Sequence, residues 1–535
     1  MRKSLIIVLF LISFFGFSQE DAWVYFTNKP NAQSFFDNPL TMLTQRALDR
    51  RSNQGISLNI NDVPIEQSYI DQVDASNGIE VKAKSKWLNC VHVRGTITEI
   101  NALTVFSFVD HIHFANNSLN SKNSIPKIFT IVNKQLDAQT SFNYGNSSNQ
   151  IEMLNGHLLH QANYTGTGKI IALLDSGFIN VNTAQPFQRL RDNNAILGGY
   201  NYVNRSTNVY DLHNHGTMTL SCIGGYKDGE LVGTAPDAQF YLFVTEDVSE
   251  ENPVEESYWV EAAEEADRLG VDVISTSLGY FEYDNPDYSH VYSDLTGNSA
   301  FASQGANIAF SKGMIVVASA GNSGQTSNPH ISVPAEATNV LAVGAVKSDE
   351  TYAAFSSIGP SFDNRIKPDV MAKGQSATLS NTAGAIVTAS GTSFSCPIMA
   401  GMIASFWQAV PTLNNQQVID FVKQSSDRFT NPNEQFGYGI PDFQFALNAA
   451  LNLPQFKDYN FVIYPNPFID TLNVELPNDI KNANLNVFNL LGQNVFSTEN
   501  LNSINEFNLK NLSAGIYTYR IEAENTLYSG KLIKN

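Results

Sequence analysis

The chain has little of several things, and each shortage narrows what it does. Three cysteines in 535 residues, Cys90, Cys222 and Cys396, are too few and too scattered for a disulfide framework, and none has zinc-site spacing. They leave a Cys222–Cys396 bridge open, with a buried helical thiol at each position as the preferred reading. Basic residues are also short: 32 Lys and Arg stand against 51 Asp and Glu, a net charge of −19. That balance repels nucleic acid and anionic membrane surfaces, so both are set aside as partners. Long apolar runs are missing after the start. The opening "MRKSLIIVLFLISFFGFSQ" joins Arg2 and Lys3 to an apolar stretch and then small residues. It reads as a signal peptide over 1–18, short for a membrane span.

What is present is a large globular composition, 43% apolar and 16% charged, with length for three or four units. Residues 19–115 mix strand-like "WVYFTNK", "IEVKAK", "WLNCVHV" and "VFSFVDHIHF" with helical "LTQRALDRR" and "VPIEQSYIDQVDASNG", the pattern of a small α+β unit. An Asn- and Ser-rich stretch over Asn116–Asn149 reads as a linker. From about Ile151 to Leu453 short runs are apolar throughout: "KIIALLDSG", "AQFYLFV", "VDVISTSLG", "MIVVASAGN" and "VLAVGAV". Strands of that kind are buried on both faces. With helical stretches between them they predict an α/β domain, a parallel sheet covered by helices on both faces. After Leu453 the pattern alternates in period two, as in a small β-sandwich.

Function gathers beyond the carboxyl ends of parallel strands, where Asp175, Ser277 and Asn322 fall. Three strings carry chemistry. "LLDSG" puts Asp175 after a buried strand, "HNHGTM" puts His215 at a helix start, and "SGTSFSCP" contains Ser393. Singly each has a plain structural use, as a cap, a satisfied histidine or a helix start. Jointly they supply what acyl transfer to a hydroxyl needs: a nucleophile, a base, and a carboxylate to orient that base. "SAGNSG" adds Asn322, whose amide, with the Ser393 backbone N–H, would hold an oxyanion.

These strings resemble those of the subtilisin-like serine peptidases, the subtilase family. The order Asp175, His215, Ser393 is that family's, and it differs from the Ser, acid, His order of α/β-hydrolases, whose G-x-S-x-G is missing here. The resemblance implies a secreted serine endopeptidase that hydrolyses peptide bonds through an acyl-enzyme, with no cofactor needed for catalysis. It implies that Ser277, Leu278 and Gly279 pair with an extended peptide and that Ser319, Ala320 and Gly321 form the facing pocket wall. Members often hold structural Ca²⁺, yet no loop here has a matching ligand spacing; no metal site is assigned. His213, Asp211 and Ser395 read as structural, and the acidic "TEDVSEENPVEES" as solvated surface.

The flanks resemble family companions. "ALDRR" and "SKWLN" are similar to prosegments of secreted subtilases, which implies an N-terminal propeptide that folds onto and inhibits the enzyme. "YPNPF", "LLGQNV", "LSAGIYTYRI" and "GKLIKN" resemble the sorting domain read by the type IX secretion machinery. The expected division is 1–18 signal, 19–145 propeptide with linker, 146–453 peptidase and 454–535 sorting β-sandwich. The expected product is an extracellular or cell-surface monomer acting on polypeptides. The competing reading is a catalytically silent binding protein on the same fold.

Overall fold

The computed structural model describes residues 19–120, 142–451, 462–476, 483–489, 493–523 and 526–535. The signal segment, the centre of the Asn116–Asn149 stretch and Gly492, which reads as a turn residue in the period-two pattern after Leu453, lie outside the described residues. The chain divides into two compact units, Met1–Asn448 and Ala449–Asn535.

The first unit opens with a four-stranded antiparallel sheet in the order Glu80–Ser85, Cys90–Thr96, Gln19–Phe26, Val109–Phe114. Alternation along Gln19–Phe26 gives the sheet two uses. Ala22 and Val24 pack with Val91, Val93, Ile100 and Val73 into a core of the segment's own. Trp23, pointing the other way, joins Trp87 and Cys90 in the larger core of the following domain.

That domain is built on seven parallel strands: Val370–Lys373, Val340–Val346, Ile315–Ser319, Val273–Thr276, Ile170–Asp175, Gln239–Val244 and Ile196–Asn201, in that order across the sheet. The five apolar runs all lie here. The two strands that the sequence does not announce are the edges: Ile196–Asn201 is partly exposed and carries two glycines, and Val370–Lys373 has four residues. Ile170, Ala172, Leu174, Ile274, Val316 and Ala342 face helices Val254–Leu269 and Phe301–Ser311. The opposite face is covered by helices His215–Gly224 and Thr392–Ala409. Helices therefore lie on both faces.

The N-terminal segment docks on the Val254–Leu269 and Phe301–Ser311 pair. Trp23 stacks on Phe301 at 4.9 Å and donates its Nε1–H to Ser257 Oγ at 2.8 Å. Arg50 and Arg51 reach the two carboxylate oxygens of buried Asp267 at 2.5 and 2.6 Å. Glu264 accepts from the Ser85 hydroxyl at 2.7 Å and from the Trp87 and Lys86 N–H groups at 2.8 and 3.0 Å.

Three expectations change. The acidic "TEDVSEENPVEES" is only partly solvated: Glu255 and Glu256 are buried in the first turn of Val254–Leu269. Glu255 accepts from the Asp247 and Asn252 N–H groups, and Glu256 pairs with His290 at 2.7 Å. Pro397, which in "SGTSFSCP" reads as a first-turn proline, sits inside the helix Thr392–Ala409, beyond its first turn. The three cysteines are free, buried thiols as preferred, with Cys222 and Cys396 on helices, but Cys90 opens the strand Cys90–Thr96 and is not helical; burial pushes Cys222 and Cys396 up to about 12.

In the second unit, one sheet runs Val462–Tyr464, Thr471–Glu475, Ile504–Asn508 and another runs Asn494–Thr498, Ala483–Phe488, Gly515–Ala523, Thr526–Lys534. Their inward residues, among them Leu472, Val474, Leu485, Val487 and Ile521, form one core. It is a β-sandwich. Among the described residues no helix is long and apolar enough to cross a membrane.

Candidate active site

Three neighbouring strands end at one rim. Ile170–Asp175 ends in Asp175, Val273–Thr276 leads into Ser277, and Ile315–Ser319 leads into Asn322. Asp175 is 1% exposed, so its carboxylate must be satisfied by the protein. Oδ1 accepts from His215 Nδ1 at 2.7 Å and from the Ser176 N–H at 2.8 Å, and Oδ2 accepts from the Thr219 hydroxyl at 2.9 Å. Thr219 stands one turn after His215 on the same helix, so one helix face grips both oxygens. Burial disfavours a charged His215, but the attraction and hydrogen bond of Asp175 outweigh it and hold its pKa above the ordinary imidazole value.

Ser393 is the second residue of the helix Thr392–Ala409. Pro397 has no N–H to give back to the carbonyl four residues earlier, which is that of Ser393. Ser277 Oγ donates to that carbonyl instead, at 2.9 Å. The proline thus ties the Ser277–Gly279 segment to the helix that carries Ser393. The Ser393 hydroxyl donates to the Ser277 carbonyl at 3.4 Å and makes no hydrogen bond to His215, whose ring lies 6.1 Å from that of adjacent Phe394.

Asn322 is oriented unambiguously. Its Oδ1 accepts from the Thr392 N–H at 2.9 Å and the Thr392 hydroxyl at 3.0 Å, so its amide N–H₂ points away from them. A Cβ built on Gly391 would stand 3.7 Å from Asn322 Nδ2 and 3.7 Å from Ser393 N. The two donors therefore border one space, kept open because residue 391 has no side chain.

The expected walls divide. Leu278 and Ala320 are buried, Leu278 in the main core, and expose little; Gly279 and Gly321 present backbone. Ser319 Oγ reaches the Leu278 carbonyl at 3.5 Å. Ser332, which no sequence signal marks, stands between the walls: its Oγ would lie 2.3 Å from a Cβ on Gly279 and 3.4 Å from one on Gly321. Ser395 is buried and donates to the Thr392 carbonyl at 3.0 Å. Asp211 is held by Asn208 Nδ2 at 2.7 Å. Among the described residues no group of three or more His, Cys, Asp or Glu is placed to hold a metal.

Comparison with known proteins identifies the family. The model of the Subtilase family matches residues 166–439. The chain belongs to the subtilase family. It is a serine endopeptidase by that membership. The Bacteroidota propeptide domain of the same peptidase class matches residues 21–128 of this subtilase, and a secretion system C-terminal sorting domain matches 462–535. The sorting domain makes it a secreted protein, extracellular or held at the cell surface.

Among its relatives, Subtilisin NAT of Bacillus subtilis subsp. natto is 30% identical over 299 residues, 55% of this chain and 70% of that one. Subtilisin of Bacillus pumilus is also 30% identical over 299 residues, which cover 97% of its length. A solved structure, MycP1 with its N-terminal propeptide removed, aligns with a TM-score of 0.45 at 23% identity, over 56% of this chain and 96% of that one.

Proposed function

We propose that this subtilase cleaves polypeptides through an acyl-enzyme, with Ser393 as nucleophile, His215 as base and Asp175 as its orienting carboxylate. His215 takes the Ser393 proton as Oγ attacks the peptide carbonyl, and later gives it to the leaving amine. Asn322 Nδ2 and the Ser393 N–H receive the oxyanion. The observation that carries this reading is the convergence of two hydrogen-bond donors on the space at Gly391, beside the nucleophile. A turn of the Ser393 hydroxyl from Ser277 toward His215 completes the arrangement, as is common when a substrate is absent.

Ser277 and Gly279 pair with the substrate strand on one side and Ser319 and Gly321 line the other, with Ser332 as floor between them. Residues 1–18 direct export, 19–145 contain an inhibitory propeptide and the segment at which it is cut, 146–453 act as a monomeric peptidase, and 454–535 address the type IX machinery. The docking of Arg50, Arg51 and Trp23 on the Val254–Leu269 and Phe301–Ser311 helices supports the inhibitory role.

Fluorophosphonate labelling tests the reading. The secreted protein takes the label, and Ser393→Ala loses it. Labelling that survives in Ser393→Ala overturns the nucleophile, and a wild-type chain that neither labels nor cleaves favours the silent binding protein.

A further inference from the structure

A second imidazole reaches Asp175 indirectly. His213 Nδ1 lies 3.1 Å from Ser176 Oγ, and that oxygen lies 3.4 Å from Asp175 Oδ1, the atom that also accepts from His215. The loop bearing His213 is held over Ser176. A Cβ on Gly177 would come within 2.3 Å of the Asp211 carbonyl and 2.7 Å of His213 N, so only glycine at 177 admits this approach. Phe178 N–H binds the Val209 carbonyl at 2.9 Å, and Leu212 takes a left-handed φ of 65° that non-glycine residues rarely adopt.

A hydroxyl carries one proton to give. With Nδ1 of His213 bare, Ser176 O–H donates to the imidazole. With Nδ1 protonated, the imidazole donates to Ser176 Oγ and turns that hydroxyl toward Asp175 Oδ1. Asp175 then gains a hydrogen bond and a nearby positive charge, both of which weaken its support of a protonated His215. We propose that His213, acting through Ser176, is a positioning residue that sets the basicity of the Asp175–His215 pair. The inference rests on the reading of that pair as the catalytic base. Of the ionisable groups next to His213 in sequence, Asp211 is engaged by Asn208 and Asn201, and His215 opens the following helix. His213 itself is exposed to solvent.

The test is the pH profile of kcat/KM for the mature protease, with His213→Gln, His213→Asn, Ser176→Ala and the double variant Ser176→Ala/His213→Gln. Removing the charge at 213 should move the acid limb to higher pH by roughly half a unit, about threefold in kcat/KM on that limb. In the Ser176→Ala background the same substitution should move it little. An acid limb that stays in place in both His213 variants overturns the proposal, as does an equal shift with and without the Ser176 hydroxyl. Ser393→Ala serves as the separate control: activity that persists there overturns the active-site reading, and this inference with it.

Discussion

Replacing Asp267 by alanine removes the carboxylate on which two buried arginines of the N-terminal segment converge. Arg50 contacts one oxygen at 2.5 Å and Arg51 the other at 2.6 Å, and Asp267 is fully buried. Breaking a buried ion pair from one side costs about 3–5 kcal/mol, because a charge is left without its partner. Here the lower end applies. Arg50 keeps the Lys312 and Val271 carbonyls, and Arg51 keeps Asp62 at 2.8 Å. About 3 kcal/mol corresponds to roughly a 100-fold weaker hold on the segment. Asp267→Asn should lose nearly as much, since its shape is kept and its charge is not. The assay separates the two segments by cleavage between residues 120 and 142, dilutes them, and reads dissociation from the return of peptidase activity. A midpoint within threefold of wild type for both variants would refute the claim that this pair holds the segment.

Other outcomes follow from the same contacts. Burial raises Glu264 to about 7 despite its hydrogen bonds from the N-terminal segment, whereas in water it returns to its ordinary 4.5. A pKa raised in the docked state stabilises docking fully below about 4.5 and loses that contribution as pH rises through about 7. The N-terminal segment should therefore be released about tenfold or more readily at pH 8 than at pH 5, and Glu264→Gln should flatten that dependence in the dilution assay. Gly391→Ala places a methyl between Asn322 Nδ2 and Ser393 N and should cost turnover about 10²–10³-fold, the range for loss of one oxyanion donor, for which a subtilisin is the type case. The φ of 158° at residue 391 strains any side chain, so thermal stability should fall as well; normal turnover in the folded variant would exclude that space as the oxyanion site. Ser332→Gly enlarges the space between Gly279 and Gly321 and should shift kcat/KM from small toward aromatic residues at the cleavage position; an unchanged ranking of peptides would remove Ser332 from the pocket.

Much of this was legible in the residues, for identifiable reasons. The five inner strands announce themselves because burial on both faces makes most of their positions apolar. Edge strands lack that constraint, so "ILGGYN" and "VMAK" do not stand out. Asp175, His215, Ser393 and Asn322 sit in short strings whose small neighbours betray tight backbone approach. Thr219 was within reach, one helical turn from His215. Ser332, Ser176 and Thr392 were not, because their importance is a matter of which atoms they meet from distant segments. The acidic stretch misled for a related cause: charge argues for solvent until a helix start and His290 supply partners for Glu255 and Glu256.

The order of the chemical strings, the apolar strands and the two flanking resemblances are properties of the chain alone, since each is carried by neighbours in sequence. Tertiary structure decided the rest. It made Pro397 a device that hands the Ser393 carbonyl to Ser277, turned Asn322 outward by tying its oxygen to Thr392, and hung His213 from Asp175 through one hydroxyl. Each depends on contacts of 3.5 Å or less between segments up to 116 residues apart, and such distances are set only when the sheet brings its strand ends to one rim.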